Sequence, residues 1–401
     1  MSTPPPNAAG RLSARLSSGL GRAVADRVSS GTLHLETPDG RRTSHRGHAA
    51  GPEVTLRAHD AGLARRLVGE GAAGLGAGYV DGWWDTDDLP GFLKLAAASL
   101  DDANAGQVGG SLARAASSIW DRRPRRRNGA VDAMADHYNL GNRFYEQWLD
   151  PSVTYSSGYY DGTDDLAEAQ RAKYDRVLHR AGIGPDSHVL EIGCGWGGFA
   201  EAATGAGARV TGVTIAQEQL DYAEKRAAEG GWTHDSDFRL LDFAEVEGTY
   251  DAIVSIEMIE SVDHDRWPEL FDTVARCLKP GGRATFQIIT IDDRVWDTYR
   301  GRNDFIREYI FPGGRLPAPK VVSELSRASG LATVDVLDFG GSYARTLADW
   351  SDRFEAAWPA IEAMGFDERF RRMWRYYLAY CQAGFELGRI SVQQWTWELA
   401  E

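Results

Sequence analysis

Apolar and polar positions alternate in TLHLETPDG (32–40) and EVTLRAHD (53–60), which predicts two strands, with PDG at 38–40 marking a turn between strands. A glycine-rich stretch, EGAAGLGAGYVDGWWDTDDL, follows, and then a predicted helix over 90–100. Together these make a small α+β unit ending near residue 115. From Val131 the pattern changes. HVLEIG, ARVTGVT, YDAIVSI and RATFQIITI are apolar, β-branched runs suited to parallel strands buried on both faces. Helical segments lie between them: in WPELFDTVARCL, Trp267, Leu270, Phe271, Val274 and Leu278 share one face. This alternation predicts a doubly wound α/β sheet whose ligand lies at the carboxyl ends of the strands. Near the end, ISVQQWTW reads as one more strand.

Composition adds boundaries. A chain of 401 residues is long for one domain. The expected division is a disordered 1–10, a small domain over 11–115, a basic linker over 116–130 and a catalytic domain over 131–401. A net charge of −14 argues against broad nucleic-acid binding. No run is long enough to cross a bilayer and MSTPPPNAAG lacks a secretory apolar core, so a cytoplasmic protein is expected. Cys194, Cys277 and Cys381 are too scattered for a disulfide framework or a metal site. Two segments run against the acidic balance. They are RRPRRR (Arg122–Arg127) and Arg11–Arg27, where Leu12, Leu16, Leu20 and Val24 recur beside arginines. A basic amphipathic helix suits anionic lipid headgroups, although it equally suits packing on its own domain.

VLEIGCGWGGFA follows a strand and opens a helix, and Gly193, Gly195 and Gly198 match G-x-G-x-x-G. Nicotinamide, flavin and S-adenosylmethionine (SAM) sites all use that pattern. A nicotinamide site wants an acidic residue ending the next strand, whereas ARVTGVT ends in Thr214, with Gln219 one turn on. Glu191 precedes the loop, suited to the amino-acid end of a cofactor. Asp242 and Phe243 follow a third strand, suited to an adenine amino group and ring face. With LKPGG at 278–282, these favour SAM over a dinucleotide.

HYNLGNRFYEQWLD, VTYSSGYY, VLEIGCGWGGFA, GVTIAQEQ, SIEMIESV, EYIFPGGRLP and FGGSYARTL occur in one order and spacing. Through them the chain resembles the cyclopropane-fatty-acyl-phospholipid synthases, with the mycolic acid cyclopropane and methylene-fatty-acyl synthases, over about residues 30 to 400. The resemblance implies a class I SAM-methyltransferase sheet with a helical lipid-binding cover. The implied reaction adds a methyl-derived carbon from SAM to the double bond of an unsaturated phospholipid chain through a carbocation. Tyr138, Tyr155 and Ser156 would contact the methionine part of SAM, and Gly193 and Gly195 would form its loop. Thr214 and Gln219 would hold the ribose, Asp242 and Phe243 the adenine, and Ile256 would lie near the sulfonium. Glu260 and Tyr343 match residues that in relatives hold a bicarbonate ion, the base, and Ile291 matches a residue lining it.

Two positions depart from the resemblance. Ser157 stands where many relatives have cysteine, and Ile289 where they have histidine; Gln287, on the same side of the strand, is the compensating donor. Bicarbonate is therefore left open as a ligand. Tyr-Ser-Ser with Q-x-I-T resembles the methylene-forming actinobacterial branch, whose product a separate reductase converts to a 10-methyl chain. The resemblance further implies docking at the inner membrane face, and it is compatible with a homodimer. Trp374, Tyr377, Tyr380, Cys381 and Phe385 are expected to line an acyl tunnel. A nicotinamide oxidoreductase and a silent lipid- or SAM-binding module are the rival readings.

Overall fold

The computed structural model describes residues 28–105, 140–301 and 304–400. The Arg11–Arg27 segment expected as a basic helix, the Arg122–Arg127 cluster and Tyr138 lie outside the described residues. The chain divides into two units, Met1–Arg127 with Gly365–Gly384, and Asn128–Met364 with Phe385–Glu401.

In the first unit, β1 (Ser30–Glu36), β2 (Arg42–Arg46), β3 (Ala49–Ala58) and β4 (Trp84–Asp85) form a sheet ordered β2-β1-β3-β4. The predicted turn joins β1 to an antiparallel β2, and Gly40 takes φ +79° there, a conformation glycine enters freely. Leu33 and Leu35 on β1 and Val54, Leu56 and Ala58 on β3 are buried, as their alternation requires. The first half of the glycine-rich stretch lies in the helix Leu63–Val80, where a Cβ on Gly78 would press on Leu63 Cδ1 at 3.1 Å. Residues 365–384, expected in the catalytic domain, belong to this first unit. Arg372 ties them in: Nε donates to the Tyr79 carbonyl at 2.6 Å and Nη2 to the Trp84 carbonyl at 2.8 Å. Trp374 and Tyr377, expected along a tunnel, are therefore buried in this unit, and among the expected tunnel residues only Phe385 falls in the second.

The second unit holds the predicted sheet. Its strands are β5 (His188–Ile192), β6 (Arg209–Thr214), β7 (Ser236–Leu240), β8 (Tyr250–Ile256), β9 (Leu278–Ile291), β10 (Leu331–Asp338) and β11 (Ile390–Leu399). The order is β10-β11-β9-β8-β5-β6-β7, with β5 to β9 parallel and β11 antiparallel between β9 and β10. From β5 the chain runs outward to β6 and β7, then returns to β8 and β9 on the other side. That reversal opens a crevice at the carboxyl ends of β5 and β8. The helix Trp267–Cys277 buries its predicted face: Trp267, Leu270, Phe271 and Val274 are at most 2% exposed. Each such side chain contributes roughly 1.5–3 kcal/mol of burial.

Candidate active site

The crevice is a cleft of about 1200 Å³, part of it open to solvent. Tyr155, Ser156, Glu191, Gly193, Gly195, Thr214, Gln219, Asp242, Phe243 and Ile256 all line it. They come together because four strand ends and one loop converge there. Gly193, just after β5, takes φ +81°, and a Cβ on it would meet Met258 Cγ at 2.6 Å, so backbone alone fits. Glu191 is buried, and its Oε2 has no partner among the described residues. Burial pushes its carboxyl well above the usual range, with Arg226 and Lys173 opposing. An orphaned buried carboxylate oxygen beside a glycine cradle fits a ligand carrying an ammonium group. Thr214 Oγ1 donates to Gln219 Oε1 at 3.0 Å, which joins the two expected ribose contacts. Asp242 is gripped by Arg266, Nη2 to Oδ1 at 2.7 Å and Nη1 to Oδ2 at 3.0 Å, and the guanidinium lies 4.5 Å over the Phe243 ring. These hydrogen bonds hold the Asp242 carboxyl below its ordinary value. Arg266 also lines the cleft, and the sequence reading missed it.

Deeper in, a second carboxylate dominates, and it is not the expected one. Glu257, directly after β8, takes φ +51°, which turns its side chain into a set of donors. Its Oε1 accepts from the Ser157 backbone N–H at 2.9 Å and from Gln287 Nε2 at 2.7 Å. Its Oε2 accepts from the Tyr343 hydroxyl at 2.7 Å. Gln394 Nε2 donates to Gln287 Oε1 at 3.0 Å and so fixes which way that amide faces. Burial raises the Glu257 carboxyl, while the donors and the Lys173 charge pull it back. Lys173 is itself fully buried, with Nζ donating to Ser156 Oγ and Gln170 Oε1, each at 2.6 Å. Its pKa falls to about 7 through burial, opposed by Glu257, Asp150 and Glu191.

The groups expected around bicarbonate are therefore arranged differently. Tyr343 pairs with Glu257, not with Glu260. Glu260 accepts from the Ile289 backbone N–H at 2.5 Å, and its Oε2 has no partner among the described residues. Ser157 contributes its backbone N–H, because its hydroxyl donates to the Gly158 carbonyl at 2.8 Å. Ile291 packs in the apolar core with Trp296 and Ala318 and does not line the cleft. A bicarbonate ion does not fit here: the donors it needs are already spent on a carboxylate of the chain. SIEMIES carries two glutamates three positions apart, and the sequence alone does not tell which of them the donors meet.

Aromatic rings pack behind Tyr155, which lines the cleft, and beside Tyr343, which donates to Glu257. Tyr155 lies 5.3 Å from Tyr145, 5.7 Å from Trp148 and 5.2 Å from Trp350, and Tyr343 stacks on Phe385 at 4.4 Å. The loop 153–162 is pinned on several sides: Gln170 Nε2 donates to the Ser156 carbonyl at 2.9 Å, Gly158 N–H to Thr346 Oγ1 at 3.1 Å, and the Tyr160 hydroxyl to Asp349 at 2.5 Å.

This sheet, with its glycine cradle and orphaned acidic group, defines a class I SAM-dependent methyltransferase. Residues 125–395 match the mycolic acid cyclopropane synthetase family, and the chain belongs to that family. It is 37% identical over 379 residues to the tuberculostearic acid methyltransferase UfaA1 of Mycobacterium tuberculosis, spanning 91% of this chain and 87% of that one. It is 35% identical over 341 residues to the cyclopropane-fatty-acyl-phospholipid synthase of Escherichia coli K12, spanning 84% and 86%. Among solved structures, the cyclopropane synthase MmaA2 from Mycobacterium tuberculosis matches with a TM-score of 0.62 at 30% identity, covering 69% of this chain and 99% of that one. Family membership sets the nicotinamide reading aside.

Proposed function

We propose that the protein modifies unsaturated, oleoyl-type phospholipid acyl chains at the inner membrane face, giving a 10-methylene chain that a separate reductase converts to the 10-methyl form. The observation that carries this reading is one cleft in which cofactor contacts, aromatic faces and a buried carboxylate adjoin. S-adenosylmethionine, when bound, supplies an electrophilic methyl group. Glu191 would hold its ammonium, Thr214 and Gln219 its ribose, and Asp242 and Phe243 its adenine. An alkene is a weak nucleophile, so the pinned loop 153–162 contributes by excluding water and fixing approach. Alkylation leaves a cation on the acyl chain, which the faces of Tyr155 and Tyr343 stabilise. A hydride shift to the cation followed by proton loss from the new methyl gives the methylene; proton loss without the shift closes a cyclopropane.

Similarity to the tuberculostearic acid methyltransferase and the apolar Ile289 support the methylene product. The test is purified protein with SAM and dioleoyl phosphatidylglycerol vesicles, measuring S-adenosylhomocysteine release and the acyl product. Methylene and cyclopropane chains are isomers, so proton NMR separates them where mass does not. Vinylidene protons are expected. Cyclopropane protons would overturn the product, and no S-adenosylhomocysteine would overturn the function and leave a silent binding module.

A further inference from the structure

We propose that Glu257 is the built-in base of this reaction and takes the place of the bicarbonate ion that the family resemblance implied. The inference rests on the reading above for the identity of the substrate. Its own warrant is geometric. Tyr343, Gln287 and the Ser157 loop, the groups expected to surround an ion, all donate to the two oxygens of Glu257. A bicarbonate would bring a second anion against a buried carboxylate, while the neighbouring buried cation, Lys173, is bonded to Ser156 and Gln170. Like charges in a dry site repel strongly. Glu257 lines the cleft beside Ile256 and Met258, so it faces the space where a reacting chain would lie. It is also held at φ +51°, a backbone region that disfavours any side chain and that glycine enters freely. A carboxylate retained in such a conformation marks a site where function outweighs local strain.

In the step assigned to it, a C–H bond of the new methyl group breaks and its proton goes to a Glu257 carboxylate oxygen. The C–H electron pair forms the carbon–carbon double bond and discharges the cation. The carboxylic acid then returns its proton to water once product has left. The three hydrogen bonds stabilise the carboxylate form and only partly offset the rise that burial gives its basicity, so Glu257 stays a competent base for the proton that leaves after the hydride shift.

The test uses the full-length enzyme with SAM and dioleoyl phosphatidylglycerol vesicles, in carbon dioxide-depleted buffer and with bicarbonate added. Wild-type turnover is expected to be equal in both. E257Q keeps the side chain's shape and one acceptor oxygen without basicity, so kcat falls by about 100-fold or more while SAM affinity stays within about twofold. E257G leaves the donors vacant. It is expected to lose turnover in depleted buffer and to regain it, with more cyclopropane, when bicarbonate is added. Calorimetric SAM binding checks that each variant is folded, and glycine suits this backbone. NMR of isotope-labelled bicarbonate, run without lipid, should show binding to E257G and none to wild type. Bicarbonate bound by wild type, a wild-type rate that falls in depleted buffer, or E257Q at the wild-type rate would each overturn the inference. A bicarbonate-independent wild type that makes cyclopropane would overturn only the product reading and would uphold Glu257 as base.

Discussion

Glu257 and Glu260 lie three positions apart, both are half-buried, and desolvation raises both carboxyls. Burial first, and the Glu257 charge second, push the Glu260 carboxyl from 4.5 up to about 8. Near neutral pH it is thus mostly a neutral acid. The sign of the linkage follows. Between about pH 4.5 and 8 the folded state binds more protons at Glu260 than the unfolded chain does. The associated stability is fully present below the lower value and is lost as pH rises through the upper one. Glu260→Gln cannot titrate and still accepts from the Ile289 N–H. Its melting temperature relative to wild type should therefore climb between pH 4.5 and 8 and level off above. Lys173, lowered to about 7, contributes an opposite slope from there upward, but it is present in both proteins and cancels in the difference. A flat difference across the window would show that Glu260 does not titrate there.

At the scale of elements, the gathering of the expected cofactor residues in one cleft was legible because each sits at the end of an apolar run: Glu191 in β5, Thr214 closing β6, Ile256 closing β8. The surroundings of Glu257 were not. Which glutamate of SIEMIES turns inward depends on the backbone at Glu257, and no pattern of side chains encodes that. Strands β2, β7 and β10 escaped for a simpler reason. RTSHR, SDFRL and LATVDVLD lie at sheet edges and bury too little to form apolar runs. Arg266 was hidden by distance, since it stands 24 positions after Asp242 and is delivered by the short 3-10 turn His264–Arg266. That turn makes a prediction. Arg266 orients the Asp242 carboxylate and covers Phe243, so Arg266→Ala should weaken SAM binding. Its side chain is 37% exposed. Screening at that exposure holds the loss to roughly 1 kcal/mol, or about fivefold in Kd by titration calorimetry. An unchanged Kd would remove Asp242 and Phe243 from the adenine site.

At the scale of the whole molecule, the first unit is completed by chain from far downstream. Arg372 reaches the Tyr79 carbonyl across 293 positions, stacks 4.2 Å over the Tyr79 ring and pairs with Asp85 at 2.8 Å. Tyr376 adds a ring 5.7 Å from Tyr79. Tyr79 and Trp84 are at most 2% exposed, so losing this segment would take a charged donor from two carbonyls, of which Tyr79 keeps the Gly82 N–H, and uncover two large rings. A hydrogen bond to a charged group contributes about 1.5–3 kcal/mol. A small domain has only about 5–15 kcal/mol of total stability. A fragment ending at Arg127 should therefore lack a cooperative thermal transition by circular dichroism, and adding a peptide spanning Gly365–Glu386 should restore one. If the fragment melts cooperatively alone, Arg372 and its neighbours merely decorate a unit that folds without them. If it melts only with the peptide, the small domain cannot complete its core until the sequence of the catalytic domain has been made, and long-range pairing of this kind slows folding.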